Sequence, residues 1–334
     1  MVRRLKLPNS EKEITDRWKY IDKVYVSVIC NTFNQEEYVA EAIESFLAQK
    51  TKYRFEIILH DDASTDGTRN VAIDYQRRYP SIIKLILPRE NQYSLNRHIP
   101  FRSSVDMAQG EFIALCEGDD FWIDYYKLEN QIKHLLLNRD INFVISRGVS
   151  LFPNGETKLF NDLGEEVKKL SFIDAIVGPK IDFFPTASFF MRKNVLNNIP
   201  EWIYEKAPVG DYYVQLFASY NSGLIYLPEP MVTYRRSAMA SYNLTKRLEG
   251  RLSDDKARVE CKYKLMQHLC LTDLEVIKFR ERIFKFNLSI VQKELQLKNY
   301  FKFISGVIEL LSSEPALVYK LLCYKFVKIC NPKK

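Results

Sequence analysis

Residues 111–122 read EFIALCEGDDFW. The first six form an apolar run of strand length without alternation, the pattern of a strand covered on both faces. Three carboxylates, Glu117, Asp119 and Asp120, follow within four residues, and Phe121 and Trp122 close the stretch. Like charges crowded among apolar and aromatic neighbours persist most easily around a cation. Hard oxygen donors without Cys or His suit Mg²⁺ or Mn²⁺. A solvated acidic turn is the plainer reading, and the apolar flanks weigh against it.

Working outward, residues 24–30 (VYVSVIC), 55–60 (FEIILH) and 82–87 are further strands of the same kind. Between them the apolar spacing predicts helices. Residues 36–49 carry Val39, Ile43, Phe46 and Leu47 on one face, and residues 68–79 and 100–109 follow suit. Residues 126–138 turn Leu128, Ile132, Leu135 and Leu136 inward. Strands alternating with helices predict an α/β fold with a mostly parallel central sheet flanked by helices. In such sheets ligands bind beyond the carboxyl ends of the strands. Asn31, Thr32 and Asn34 should therefore share one rim with Asp61, Asp62 and Asp66 and with the acidic run. Asn34 and Glu37 have the spacing of a capping box. The turn DDASTDGT, residues 61–68, needs a helix cap but not two adjacent aspartates; the second carboxylate is free to accept from a ring N–H. Phe33, beyond a strand end, is placed to stack on a base.

Past residue 151 the pattern loosens into short strands and Pro/Gly turns. PVGDYYVQLF, residues 208–217, sets Asp211 at the head of a helical run, which by itself reads as a cap. TYRRS, residues 233–237, offers Arg235 and Arg236 either to a diphosphate or to solvent. From residue 245 the chain is helical and basic, with 19 Lys and Arg against 10 Asp and Glu, whereas the whole chain carries +7. There Phe301, Ile304, Val307, Ile308 and Leu311 recur at helical spacing. Pro315 separates residues 300–312 from a helix over 316–330 punctuated by Lys320, Lys325 and Lys328. This region is either a helical appendage packed on the core or a helix drawn to an anionic membrane surface. The predicted organisation is an N-terminal arm (1–22), a catalytic domain (23–244) with a nucleotide half (23–122) and an acceptor half (123–244), and the basic helical region (245–334).

Several classes are excluded. With 334 residues, 46% hydrophobic and 27% charged, the chain is globular. No P-loop, GxGxxG, GxSxG or HExxH pattern occurs. The six cysteines form no CxxC pair and read as reduced thiols. No apolar leader and no membrane-length apolar run is present, so the expected location is cytoplasmic. The aromatic-glycine signatures of RNA modules are missing, and no nucleic-acid partner is expected.

Taken in order, SVICNTFNQEEYVAEAIESFLAQ, FEIILHDDASTDGT, GEFIALCEGDDFW, the GD of PVGDYY and the YR of TYRRS resemble family 2 of the inverting nucleotide-sugar glycosyltransferases, which have the GT-A fold. The resemblance covers residues 24–240. It implies that Asn31 and Phe33 line a nucleoside pocket and that Asp62 accepts from the base, favouring uracil. It implies that Asp120 binds Mn²⁺ or Mg²⁺, that Asp119 lies near the ribose or sugar, and that Asp211 is the catalytic base. The His that often follows the YR motif is replaced by Arg236 or Ser237, which leaves Arg235 and Arg236 as diphosphate contacts. Glu117 and Trp122, with Thr186 and Ser188 of the PTAS segment at 185–188, are expected to touch the acceptor or donor sugar. The implied partners are a nucleotide-sugar donor and a glycan or polyprenyl-diphosphate-linked acceptor, at the inner face of a bacterial membrane. Two other readings stay open: an Mg²⁺-dependent phosphohydrolase, for which no water-activating His is evident, and a non-catalytic sugar or nucleotide binder.

Overall fold

β1 (Val26–Thr32) and β2 (Phe55–Asp61) pair in the parallel part of the sheet, and every side chain of β2 is buried. Their Val, Ile and Phe content suits a pleated surface covered on both faces. The computed structural model describes residues 2, 4–178, 184–208, 210–236 and 248–319. Two compact units appear: residues 1–205 with 209–245, and residues 206–208 with 246–334.

In the first unit β1 pairs in parallel with β2 on one side and with β4 (Phe112–Leu115) on the other, and β3 (Ile83–Ile86) extends the sheet beyond β2. β5 (Phe121–Trp122), β6 (Phe143–Leu151), β7 (Thr157–Phe160), β8 (Lys168–Leu170), β9 (Phe190–Arg192) and β10 (Leu224–Arg235) complete ten strands among the described residues. The order is β3-β2-β1-β4-β9-β6-β10-β5, with β7 on β6 and β8 on β10. β9 runs antiparallel between β4 and β6, so two parallel sets are joined through one reversed strand. The α/β class is as the sequence predicts. β10 passes through Pro228 and Pro230, which the sequence suggests are turns, by shifting register twice; proline is tolerated at such irregularities because no ladder donor is required there.

The helix Val39–Leu47 buries Val39, Ala42, Ile43, Phe46 and Leu47, each worth about 1.5–3 kcal/mol for the larger side chains. It starts three residues later than predicted, and the Asn34/Glu37 capping box does not form, since the helix is capped at Tyr38 with no side-chain bond. Residues 34–36 are instead zipped to the next loop. Asn34, at φ 52, accepts the Thr65 amide through Oδ1 at 2.8 Å, and the Gln35 amide donates to Thr68 Oγ1 at 2.8 Å. On the helix Lys127–Leu137, Leu128, Ile132 and Leu135 are buried as predicted, but Leu136 is 43% exposed.

The second unit contains the helices Leu248–His268, Asp273–Gln296 and Tyr300–Ser313. A Thr272/Glu275 capping box starts the middle one. Phe284, Val291 and Leu310 form its apolar core, with Val307 packed against them. Phe301, Ile304, Ile308 and Leu311 remain exposed. The predicted lysines 320, 325 and 328 lie outside the described residues. No helix among the described residues is long and apolar enough to cross a membrane.

Candidate active site

The acidic run stays zipped to β1 after β4 ends. The Cys116 amide donates to the Ile29 carbonyl at 3.1 Å, and the Gly118 amide to the Asn31 carbonyl at 3.2 Å. A tight turn follows, with the Asp120 amide donating to the Glu117 carbonyl at 3.1 Å. Gly118 is required here because a Cβ would stand 2.5 Å from Gln35 Oε1 and 2.8 Å from Thr32 Oγ1. The turn gathers Glu117, Asp119 and Asp120 so that one oxygen of each lies within 4.8 Å of the others. Glu117 keeps an exposed surface, yet desolvation by the protein atoms around it, then the Asp119 and Asp211 carboxylates, raise its pKa to about 8. Burial and then Asp119 push Asp120 well above the ordinary carboxylate range, and burial likewise raises Asp119. Three carboxylates that resist ionisation one beside another are a donor set that a hard dication satisfies. The residues fit Mg²⁺ or Mn²⁺.

On the neighbouring strands the predicted residues reach the same rim. Asn31 pairs with His60 and Thr32 with Asp61 at the ends of β1 and β2. Asn31 Oδ1 accepts from Ser104 Oγ at 2.9 Å, and Phe33 is 38% exposed. Asp62 is buried, and its two carboxylate oxygens accept the Gln92 and Tyr93 amides at 2.7 and 2.9 Å, which caps the short helix Gln92–Leu95. Asp61 is also buried and accepts from Arg69 Nε at 2.7 Å. The two aspartates of the turn therefore have separate tasks.

Asp211 heads the helix Gly210–Ser219. Its Oδ2 accepts from Thr186 Oγ1 at 3.0 Å and its Oδ1 from the Tyr212 amide at 2.7 Å. Its charge is felt by Glu117, which brings it to the acidic rim. Thr186 sits on the PTAS segment, held from beneath. Trp122 Nε1 donates to the Ala187 carbonyl at 3.1 Å, Gln131 Nε2 to the Ser188 carbonyl at 2.8 Å, and Ser188 Oγ to the Pro185 carbonyl at 2.7 Å. Trp122 and Ser188 are fully buried, so they cannot touch a sugar or acceptor as expected from sequence. Packing of Trp122 against Phe46, with centroids 4.6 Å apart, takes its ring into the core. Glu117 and Thr186 remain open to ligand.

Arg235, the last residue of β10, and Arg236 just after it each have partners within the protein. Arg235 Nε donates to the Asp119 carbonyl at 2.8 Å and its Nη2 pairs with Glu41 at 2.7 Å, while its amide donates to Asp120 Oδ1 at 2.7 Å. Arg236 Nε donates to Ser150 Oγ at 3.1 Å, and its guanidinium lies over the Tyr234 ring at 4.6 Å. Tyr234, quoted in the YR motif but given no role there, has its hydroxyl pKa raised to about 12 by burial and by Asp120 and Glu117. Its adjacency to Arg235 in TYRRS was the available signal.

A family model described as Glycosyl transferase family 2 matches residues 27–199. An uncharacterized protein of Mycobacterium tuberculosis is 32% identical over 64% of this chain and 59% of its own length. The chain thus spans about three fifths of such curated relatives. Among solved structures, S. aureus TarS in complex with UDP-GlcNAc superposes with a TM-score of 0.63 at 16% identity, covering 86% of this chain and 81% of that one. A mannosyltransferase from Pyrobaculum calidifontis in complex with GDP-Man and Mn²⁺ gives 0.56 at 13% identity, covering 96% and 88%. At these identities the likeness is one of fold.

Proposed function

The chain belongs to glycosyl transferase family 2, and from that premise we propose that it is a metal-dependent inverting transferase moving a sugar from a UDP-sugar to a hydroxyl of a glycan or lipid-linked acceptor. The observation that carries this reading is the convergence of Glu117, Asp119, Asp120 and Asp211 at the carboxyl ends of the strands. Phosphates are repelled by so acidic a rim unless a cation joins them there. Asp120, with Asp119 and Glu117, would hold a divalent ion that neutralises charge on the departing diphosphate.

The chain's own groups supply the rest. Asp211 accepts the proton of the acceptor hydroxyl while that oxygen attacks the anomeric carbon and the bond to the diphosphate breaks. A single displacement inverts the centre, so an α-linked donor yields a β-linked product. Thr186 keeps one Asp211 oxygen oriented by its 3.0 Å hydrogen bond. Asn31 and the ring of Phe33 border the nucleoside, and each Asp62 oxygen retains acceptor capacity for the base N–H. Thymine presents the same N–H as uracil; the ribose 2′-hydroxyl near Asp119 is what favours UDP. The donor half ends at residue 122, and the acceptor half, residues 123–244, brings Asp211 and Thr186.

Calorimetric binding of UDP, GDP and dTDP, each with Mn²⁺ and with EDTA, tests this. Tight UDP binding only with Mn²⁺ is expected. Equal binding in EDTA removes the metal, and no binding of any nucleotide removes the donor assignment. The exposed Phe301, Ile304, Ile308 and Leu311 on a basic unit support contact with an anionic membrane surface. Co-sedimentation with anionic but not zwitterionic vesicles is the expected result, and indifference to vesicle charge rejects it.

A further inference from the structure

The Arg235 guanidinium is held on four sides. Its Nε donates to the Asp119 carbonyl at 2.8 Å, and its Nη2 meets Glu41 Oε2 at 2.7 Å. The Tyr38 ring lies 4.7 Å away and the Phe121 ring 5.2 Å. Both ion-pair partners are largely buried, with side-chain exposures of 14% for Arg235 and 19% for Glu41. Glu41 is in the first turn of the helix Val39–Leu47, far in sequence from the acidic turn. Arg4 Nε approaches its other oxygen at 2.6 Å but is 78% exposed, so that contact is screened and weak.

A positive charge bonded to the backbone of Asp119 competes with any dication for the same carboxylates. Released from Glu41, a long guanidinium has three carboxylates within the neighbouring turn to pair with, and bidentate pairing with one of them is its favoured geometry. We infer that Glu41 is a positioning residue for the metal site: it pins and neutralises Arg235, so that the arginine braces the acidic turn without occupying it. This rests on the metal-dependent reading above and extends it to a residue outside the turn.

The test is a double-mutant cycle on the full chain, with free Mn²⁺ measured by electron paramagnetic resonance during titration in the presence of UDP. Glu41→Gln is expected to weaken Mn²⁺ binding by about fivefold or more, in a variant that stays folded in EDTA as read by circular dichroism. In an Arg235→Gln background the same change is expected to alter Mn²⁺ binding by less than about twofold, because Glu41 acts through the arginine. Glu41→Asp retains the charge but shortens the reach, and it is expected to follow Glu41→Gln. Wild-type affinity in Glu41→Gln or Glu41→Asp overturns the inference, as does an equal loss in both backgrounds. If Glu41→Gln misfolds, Glu41→Asp carries the same comparison. A wild-type chain that binds no Mn²⁺ overturns both this inference and the metal reading, whereas wild-type binding with an unaffected variant overturns this inference alone.

Discussion

Replacing Lys127 with Met should stabilise the protein, and by an amount that depends on pH. Lys127 is fully buried, with Nζ donating to Gln131 Oε1 at 2.8 Å and lying 4.1 Å over the Trp122 ring. Burial lowers its pKa from 10.5 to about 7. The native value lies below the unfolded one, so between these values the unfolded chain binds a proton that the native state releases. Stability from this residue is lowest below about pH 7 and rises toward pH 10.5. At about 1.4 kcal/mol for each pH unit, the lysine costs roughly 4–5 kcal/mol near neutrality. Methionine fills the same unbranched space but leaves Gln131 Oε1 without its donor, a loss of about 1–3 kcal/mol. The net gain near neutral pH is therefore about 1–4 kcal/mol, or several degrees in melting temperature. Thermal and urea melts of both proteins at about pH 6, 7.5 and 9 should show the advantage shrinking toward zero as pH rises. An advantage that does not vary with pH would refute the reasoning, since Lys127 would then titrate as if in water.

Four further outcomes are expected. Asp120→Asn should lose Mn²⁺-dependent UDP binding by about a hundredfold while remaining folded, as read by calorimetry and circular dichroism; retained metal-supported binding removes Asp120 as a ligand. Asp211→Asn should bind UDP normally but turn over at least about a hundredfold more slowly, and Thr186→Val should lower kcat by about tenfold without changing the donor KM; near-normal transfer by the first rules out Asp211 as the base. Gly118→Ala drives a methyl to within 2.9 Å of Thr32 Cβ, so a loss of about 1–3 kcal/mol in urea melts and weakened Mn²⁺ binding are expected; an unperturbed variant would mean the turn is looser than its contacts indicate.

Much of the rim was legible because strand ends and carboxylate clusters are local features. The apolar runs at 24–30, 55–60 and 111–116 predicted β1, β2 and β4, and their polar successors indeed gather at one edge. What was not legible depended on neighbours distant in the chain. Trp122 and Ser188 read as surface contacts because they flank polar motifs, yet Phe46 and Gln131 take them inside. Lys127, on which the sequence offers no local signal, is taken inside with its Nζ 4.1 Å over the Trp122 ring. Arg235 and Arg236 read as phosphate ligands, and only the approach of Glu41 and Ser150 gives them other partners.

By itself, the sequence determined the α/β alternation, the acidic turn with its chemistry, and the rim on which ligand-binding groups would stand. These follow from hydrophobic periodicity and from residue types within a few positions of one another. The tertiary structure decided the reversed β9 between β4 and β6, the passage of β10 through two prolines, and the bracing of Asp119 and Asp120 by a residue more than a hundred positions away. Those contacts join segments with no shared local pattern, and their energy exists only once burial brings the groups together.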